Sequence, residues 1–498
     1  MTTILSEQIK MLDHAAAMEL RGTVTQVRGL TVRVSDLPVP VGALIRIKPK
    51  SGSSRASSGL DAPGEAEAHQ SIFGEVVAFD HDQTIVIPLG TTAGICRGDI
   101  VVAEQFHPMV RVGRDLLGRV LDAQGDPIDG AGPMRDRVTR PLTRTPIEPM
   151  ERPLIDTPLI TGIRAIDAFL TVGCGQRLGV FAAPGVGKSI LLGMMARNTA
   201  AAVNVIALVG ERGREVVDFV DNQLGPDGLA RSVVICATSD EPALSRVRAA
   251  LVATVIAEYF RDEGHDVLLM MDSLTRYCHA LRQIGLSAGE PPTTKGYPPS
   301  MFSQIPALLE RCGRTTRGSI TGLFAVLVEG DDMDDPVADA ARGVLDGHVV
   351  LSRKLASRGH WPAIDLLQSI SRIADDVTDT THQAARNEVL RLINAYEEVE
   401  DLLNIGAYAS GTNPECDVAI ECKPAIDRFV RQGRRETVDR DDGDRTSKQL
   451  HALMQQVNQT RKKFQHAASQ VPAGPTGQAP GRSPRPAANG PQPAVARR

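Results

Sequence analysis

Gly179-Val-Phe-Ala-Ala-Pro-Gly-Val-Gly-Lys-Ser189 is the stretch that decides the fold of this chain. Val180–Ala182 reads as the end of an apolar strand, and Ile190 to Thr199 as the opening of a helix. A glycine-rich loop ending in Lys-Ser between a strand and a helix is a phosphate loop. Gly185 and Gly187 let the backbone close around a phosphate with its N–H groups turned inward. Lys188 sets a cation on the β and γ phosphates, and Ser189 offers its hydroxyl to Mg²⁺. The candidate nucleotide-binding residues are therefore Ala183, Pro184, Gly185, Val186, Gly187, Lys188, Ser189 and Ile190. The strict eight-residue pattern begins with glycine, where this chain has Ala182, and Pro184 removes one N–H donor and stiffens the loop. A glycine-rich turn with a chance Lys-Ser is the bland alternative, and the strand–loop–helix context outweighs it.

Hydrolysis needs further groups: a second anchor for Mg²⁺, a residue to activate water, and positive charge for the transition state. Val267-Leu-Leu-Met-Met-Asp272 is an apolar strand that ends in a carboxylate, which makes Asp272 the candidate metal residue rather than a simple helix cap. Gly210-Glu-Arg-Gly-Arg-Glu215 follows the next strand. In an open parallel sheet such strand ends line the ligand crevice. Glu211 is placed there to polarise water and Arg212 to meet phosphate, although spacing alone reads equally well as a solvated charged turn. Chemistry by itself gives Arg372, in Ser369-Ile-Ser-Arg372, no role beyond a surface cation.

Outward from this centre the chain divides. Residues 106–380 alternate apolar strands with helical patterns, as a mainly parallel α/β sheet does. Val180–Ala182, Val203–Val209, Ser232–Ala237, Val267–Met271 and Ser319–Val328 are the expected core strands. Residues 21–105 hold six short β-rich runs separated by Gly, Pro and Asp, the pattern of a small β-barrel. Residues 51–70 read as a long loop within it. Residues 381–465 read as a helical C-terminal domain, with helices at Ala384–Leu403 and Thr446–Lys463. Residues 1–20 read as a short amphipathic docking helix, and 466–498 as a disordered tail with little to bury.

The totals exclude several classes. The net charge is −5 and aromatics are 3% of 498 residues, which argues against a basic, stacking nucleic-acid binder. Seven scattered cysteines with no CxxC pair point to reduced thiols in the cytoplasm rather than a disulfide framework or a zinc site. No uncharged apolar run is long enough to span a bilayer.

Longer motifs carry a resemblance. Ser273-Leu-Thr-Arg-Tyr277, Gly289-Glu-Pro-Pro-Thr-Thr-Lys-Gly-Tyr-Pro-Pro-Ser300 and Asp335-Pro-Val-Ala-Asp-Ala-Ala-Arg342 resemble the ATPases of type III protein export. So do Leu345-Asp-Gly-His348, His360-Trp-Pro-Ala-Ile-Asp365, Ser369-Ile-Ser-Arg372 and, upstream, Gly118 to Gly130. The likeness runs from about residue 20 to about 435 and favours the flagellar branch over the injectisome branch. That family is similar in turn to the subunits of rotary ATP synthases. The resemblance implies ATP and Mg²⁺ as ligands and a chain of β-barrel, P-loop ATPase domain and helical domain. It makes Lys188, Glu211, Arg212, Arg276 and Arg372 the catalytic set, with Arg372 as an arginine finger. It also sets Trp361 where relatives often hold a Tyr against adenine; a Trp face stacks a purine equally well.

One chain with both Glu211 and Arg372 implies a homohexamer whose subunits share sites. By resemblance its partners are a stator-like regulator at the N-terminal helix, a central coiled-coil stalk, an export gate and chaperone–substrate complexes. The expected location is the cytoplasm, peripheral at the inner-membrane export apparatus, with no nucleic acid bound. Two other readings compete. A non-catalytic rotary subunit lacks the Glu211 carboxylate, and an RNA-translocating ring helicase needs a basic, aromatic N-terminal domain.

Overall fold

A computed structural model describes residues 20–49, 71–135, 137–328, 335–436 and 445–469. The expected docking helix at 1–20, all but its last residue, lies outside the described residues, as do the loop at 51–70 and the tail from 470 onward.

The six β-rich runs close into a barrel. Its strands are β1 (Arg21–Arg28), β2 (Thr31–Ser35), β3 (Leu44–Lys48), β4 (Ile72–Asp80), β5 (Gln83–Pro88) and β6 (Ile100–Gln105), in the order β1-β2-β5-β4-β3-β6. Alternate residues point inward, as period-2 patterning requires. Val24, Val32, Val34, Ile45, Val76, Val86 and Val101 form the barrel core. Closure leaves no free edge to pair with another chain.

The central sheet carries the phosphate loop. Its order is Ile364–Ser371, Gly347–Leu351, Arg177–Ala182, Ser319–Leu327, Asp266–Asp272, Val203–Glu211, Ser232–Thr238 and Val120–Leu121. All neighbouring pairs along it are parallel except the first, where Ile364–Ser371 runs antiparallel on the edge. Every residue of Val203–Glu211 is buried. A parallel sheet covered on both faces demands such a strand, and the helices Lys188–Asn198 and Ala243–Asp262 are among those that cover it.

The five expected core strands are all present. Three further strands, Val120–Leu121, Gly347–Leu351 and Ile364–Ser371, extend this order, and the two-residue strand Gly313–Arg314 pairs antiparallel with Ser319–Leu327 off it. The edge strand escapes a periodicity reading because its residues are half-buried or exposed after Ile364.

Three long helices follow: Thr380–Asn404, Pro414–Val430 and Arg445–Ser469. The first is capped by Asp379, whose carboxylate accepts from the amides of Thr381 and His382, both at 2.8 Å. The sequence reading missed Pro414–Val430. Pro414 sits in its first turn, where no N–H is needed, but Pro424 inside it looks like a breaker. The last helix also runs past residue 465 into the expected tail. His382 joins the first of them to the short helix Arg164–Phe169, its Nε2 lying 2.9 Å from the carbonyl of Ala168. No described helix is long and apolar enough to cross a membrane.

Candidate active site

Three parallel strands deliver the central groups at their carboxyl ends. The helix Lys188–Asn198 starts directly after the phosphate loop, and Gly185 and Gly187 hold φ of +81° and +93°. Those angles favour glycine and bend the loop so that the first amides of the helix face outward from its end. These amides have no partner within the helix and form an anion site. Ala183 and Val186 are buried, Ile190 is half-buried, and Pro184, Gly185 and Ser189 are exposed at the mouth.

Asp272 ends the strand Asp266–Asp272 and is buried, as is Glu211 at the end of Val203–Glu211. Lys188 bonds Asp272 through Nζ and lies 3.7 Å from Glu211 Oε1. Arg276 pairs with Glu211 from the other side. Burial lifts the Asp272 carboxyl above the ordinary Asp range, with Lys188 pulling against it. Two carboxylates and two cations thus share one crevice and balance in charge.

Local structure explains the convergence. The ladder between Val203–Glu211 and Ser232–Thr238 slips at Val209/Glu211, and Gly210 there has φ +71°. The slip re-aims Glu211 toward Lys188. Ser273 caps the helix Leu274–Ala288, its hydroxyl accepting from the amide of Arg276 at 3.3 Å. That cap sets Arg276 one turn into the helix, beside Glu211. Thr275 ties the same turn to the neighbouring strand by accepting from the Leu327 amide at 2.8 Å. Ser273-Leu-Thr-Arg-Tyr277 is therefore a positioning device for Arg276.

Trp361 lies across the loop. A Cβ added to Gly187 would fall 2.7 Å from the indole Cζ3. The indole, 41% exposed, forms one wall of an apolar hollow. Val186, Ile190, Leu191 and Met194 form the floor, and Gly433 and Arg434 the far wall. The segment 431–436 was not among the sequence candidates. Gly433 after a helix signals a turn, but nothing local ties it to a residue more than 70 positions upstream.

Two expected residues stand apart. Arg212 points to solvent and pairs with Glu215 at 3.0 Å. Arg372 is exposed at the end of the edge strand. Its amide donates to the Asp346 carbonyl at 3.0 Å, and Ser371 pairs with Gly347, which pairs with Leu178. Arg372 is thus rooted near the start of the strand whose far end carries the phosphate loop. The offset is about 16 Å along the strand, beyond the span of an arginine side chain.

Known proteins share this fold and much of its sequence. Residues 162–371 match the ATP synthase alpha/beta family, nucleotide-binding domain, and residues 378–452 match the T3SS EscN ATPase C-terminal domain. A flagellum-specific ATP synthase of Treponema pallidum is 48% identical over 87% of this chain and 91% of its own length. One from Bacillus subtilis is 45% identical over 87% of this chain and 95% of its own length. Among solved structures, the assembled ATPase EscN of enteropathogenic E. coli, in complex with its central stalk EscO, superposes with a TM-score of 0.77. It is 39% identical and is matched over 87% of this chain and 99% of its own.

Proposed function

We propose a mechanism on one premise: this chain belongs to the family of flagellar and type III export ATPases. It hydrolyses ATP in a ring of identical subunits and energises flagellar protein export. The observation that carries this reading is the meeting of Lys188, Glu211, Asp272 and Arg276 at the ends of neighbouring parallel strands.

The loop amides and the start of the helix Lys188–Asn198 take the phosphate chain. Lys188 exchanges Asp272 for phosphate oxygens. Asp272 and Ser189 offer a carboxylate and a hydroxyl, an all-oxygen donor set that fits Mg²⁺. Mg²⁺ bound there neutralises charge on the β and γ phosphates. Glu211 orients the attacking water, and Arg276 holds Glu211 in place. Trp361 stacks on the base. Arg212 reaches phosphate only if its pair with Glu215 opens. Arg372, out of reach of its own loop, serves the site of a neighbouring subunit.

The presence of Glu211 in the crevice argues against a non-catalytic rotary subunit. The flagellar assignment draws on relatives that are 48% and 45% identical over 87% of this chain; a type 3 secretion system ATPase of Salmonella typhimurium reaches the same 48%, but over 75% of it. EscN is solved with a central stalk; a coiled-coil stalk in the ring is the matching partner here. A regulator at residues 1–20, an export gate, and chaperone–substrate complexes at the C-terminal helices complete the proposed set.

The test is steady-state hydrolysis by the purified chain with Mg²⁺ and ATP. Turnover abolished by Lys188→Ala is the expected result. Nucleotide binding with no turnover in the unaltered chain sinks the reading.

A further inference from the structure

The segment that walls the apolar hollow is held by more bonds than its length requires. It follows the helix Pro414–Val430 and leads on toward the last helix, so it belongs to the C-terminal helices rather than the sheet. Gln432 is buried within it, and its backbone amide and both side-chain polar atoms are hydrogen-bonded. Its backbone amide donates to the Trp361 carbonyl at 2.9 Å. Its side-chain Nε2 donates to the Gly162 carbonyl at 2.8 Å, and its Oε1 accepts from the Arg164 amide at 3.0 Å. Arg164 also donates to the carbonyl of Phe429 at 2.9 Å and pairs with Glu436. Arg197, on the phosphate-loop helix, donates to the Arg434 carbonyl at 2.7 Å. Asn198 beside it donates to the Glu436 carbonyl at 3.2 Å.

Gln432 therefore joins three pieces: the Trp361 loop, the turn at Gly162–Arg164, and the Gly433–Arg434 wall. We infer that Gln432 is a positioning residue for the nucleotide base, fixing the gap between Trp361 and Gly433–Arg434. Through it the C-terminal helices set nucleotide affinity. The inference rests on the reading of the hollow as the base site. A buried side chain that loses two hydrogen bonds leaves the Gly162 carbonyl and the Arg164 amide without partners. That cost falls on the base pocket and leaves the phosphate loop intact.

The test uses Trp361, the only tryptophan in the chain, and two probes. Mg²⁺-ATP engages base and phosphates; inorganic triphosphate engages phosphates alone. In the unaltered chain, Mg²⁺-ATP changes Trp361 emission and triphosphate does so far less. Gln432→Met, similar in size but without hydrogen-bonding groups, raises the KM for ATP about tenfold. It keeps kcat within about twofold and leaves inhibition by triphosphate unchanged. Its Trp361 emission without nucleotide shifts to the red. If Gln432→Met yields no folded protein, Gln432→Glu carries the same readouts with a smaller shift, since it keeps the bond from the Arg164 amide.

An unchanged KM and emission in the folded variant overturn the role of Gln432. An equal loss of ATP and triphosphate binding overturns it as well, because that marks general damage. If ATP leaves the emission of the unaltered chain unmoved, the base-site reading itself falls.

Discussion

The backbone amide of Arg372 donates to the carbonyl of Asp346 at 3.0 Å, and Asp346 in turn holds Arg177 through its amide and guanidinium at 3.0 Å. This bracket anchors Arg372 at the end of the sheet remote from Lys188. As the proposed finger, Arg372 would act across a subunit boundary, in the heterologous contact of a ring. Arg372→Ala should leave nucleotide binding, read by Trp361 emission, within about twofold and cut turnover by about 10³-fold or more. The side chain is exposed, so folding is unaffected. Mixed with Lys188→Ala subunits, the variant should recover part of its activity, because each intact loop then meets some intact fingers. Measured turnover of the mixture no higher than that of its parts rules out sharing between subunits.

Gly210 makes room for Arg276. A Cβ at this position would lie 2.9 Å from Arg276 Cδ and 3.2 Å from its Cβ. The residue also holds φ +71°, where an L side chain costs roughly 1–2 kcal/mol. Gly210→Ala should displace Arg276, and with it Glu211, by a fraction of an ångström to an ångström. Such a shift at a reacting centre lowers kcat by about 10²-fold. The phosphate loop is untouched, so the KM for ATP should hold. A variant with the kcat of the unaltered chain would show that the Arg276–Glu211 pair is incidental.

How far the sequence foretells this site depends on the range of the interaction. The loop at Gly179–Ser189 is legible because glycine, lysine and serine act within one strand–helix turn. Asp272 is legible because a carboxylate ending an apolar strand is a local pattern. The barrel follows from six short runs with turn residues between them. Arg276 and Arg372 are different: spacing gave them no role, and only their motifs drew notice. The Ser273 cap on Arg276 is local, but the meeting of Arg276 with Glu211 and of Arg372 with Asp346 depends on tertiary packing. Gln432 is illegible for the same reason, since its side-chain partners at 162 and 164 lie about 270 residues away. Arg212 shows the converse. It sits beside Glu211 in sequence, yet the helix Gly213–Asp218 that begins after it turns its side chain to solvent.

Asp272 should govern the metal requirement. Its buried carboxylate accepts from Lys188, so a nucleotide that draws Lys188 away frees that carboxylate for a cation. Asp272→Asn removes the charge and keeps the shape. The free Mg²⁺ needed for half-maximal turnover should then rise at least about tenfold, since a charged oxygen ligand is replaced by a neutral one. Chelation of Mg²⁺ should abolish turnover in the unaltered chain. An unchanged Mg²⁺ dependence in Asp272→Asn would remove it from the metal site.

A pH dependence should arise far from the nucleotide, where the barrel meets the sheet. Glu75 on β4 faces Arg248 on the helix Ala243–Asp262, 3.8 Å apart. Burial raises the Glu75 carboxyl to about 7 from an ordinary 4.5, and Arg248 only partly offsets this. The folded chain thus binds this proton more tightly than the unfolded chain does. Each unit of such a shift corresponds to about 1.4 kcal/mol. The contribution is fully present below about pH 4.5, declines as pH rises toward 7, and is lost above it. The thermal midpoint should therefore fall by about 2 °C between pH 5.5 and pH 8. Glu75→Gln cannot titrate and should flatten that slope while the remaining pH dependence persists. Identical slopes for the two proteins would mean that Glu75 stays ionised at the barrel–sheet boundary throughout this range.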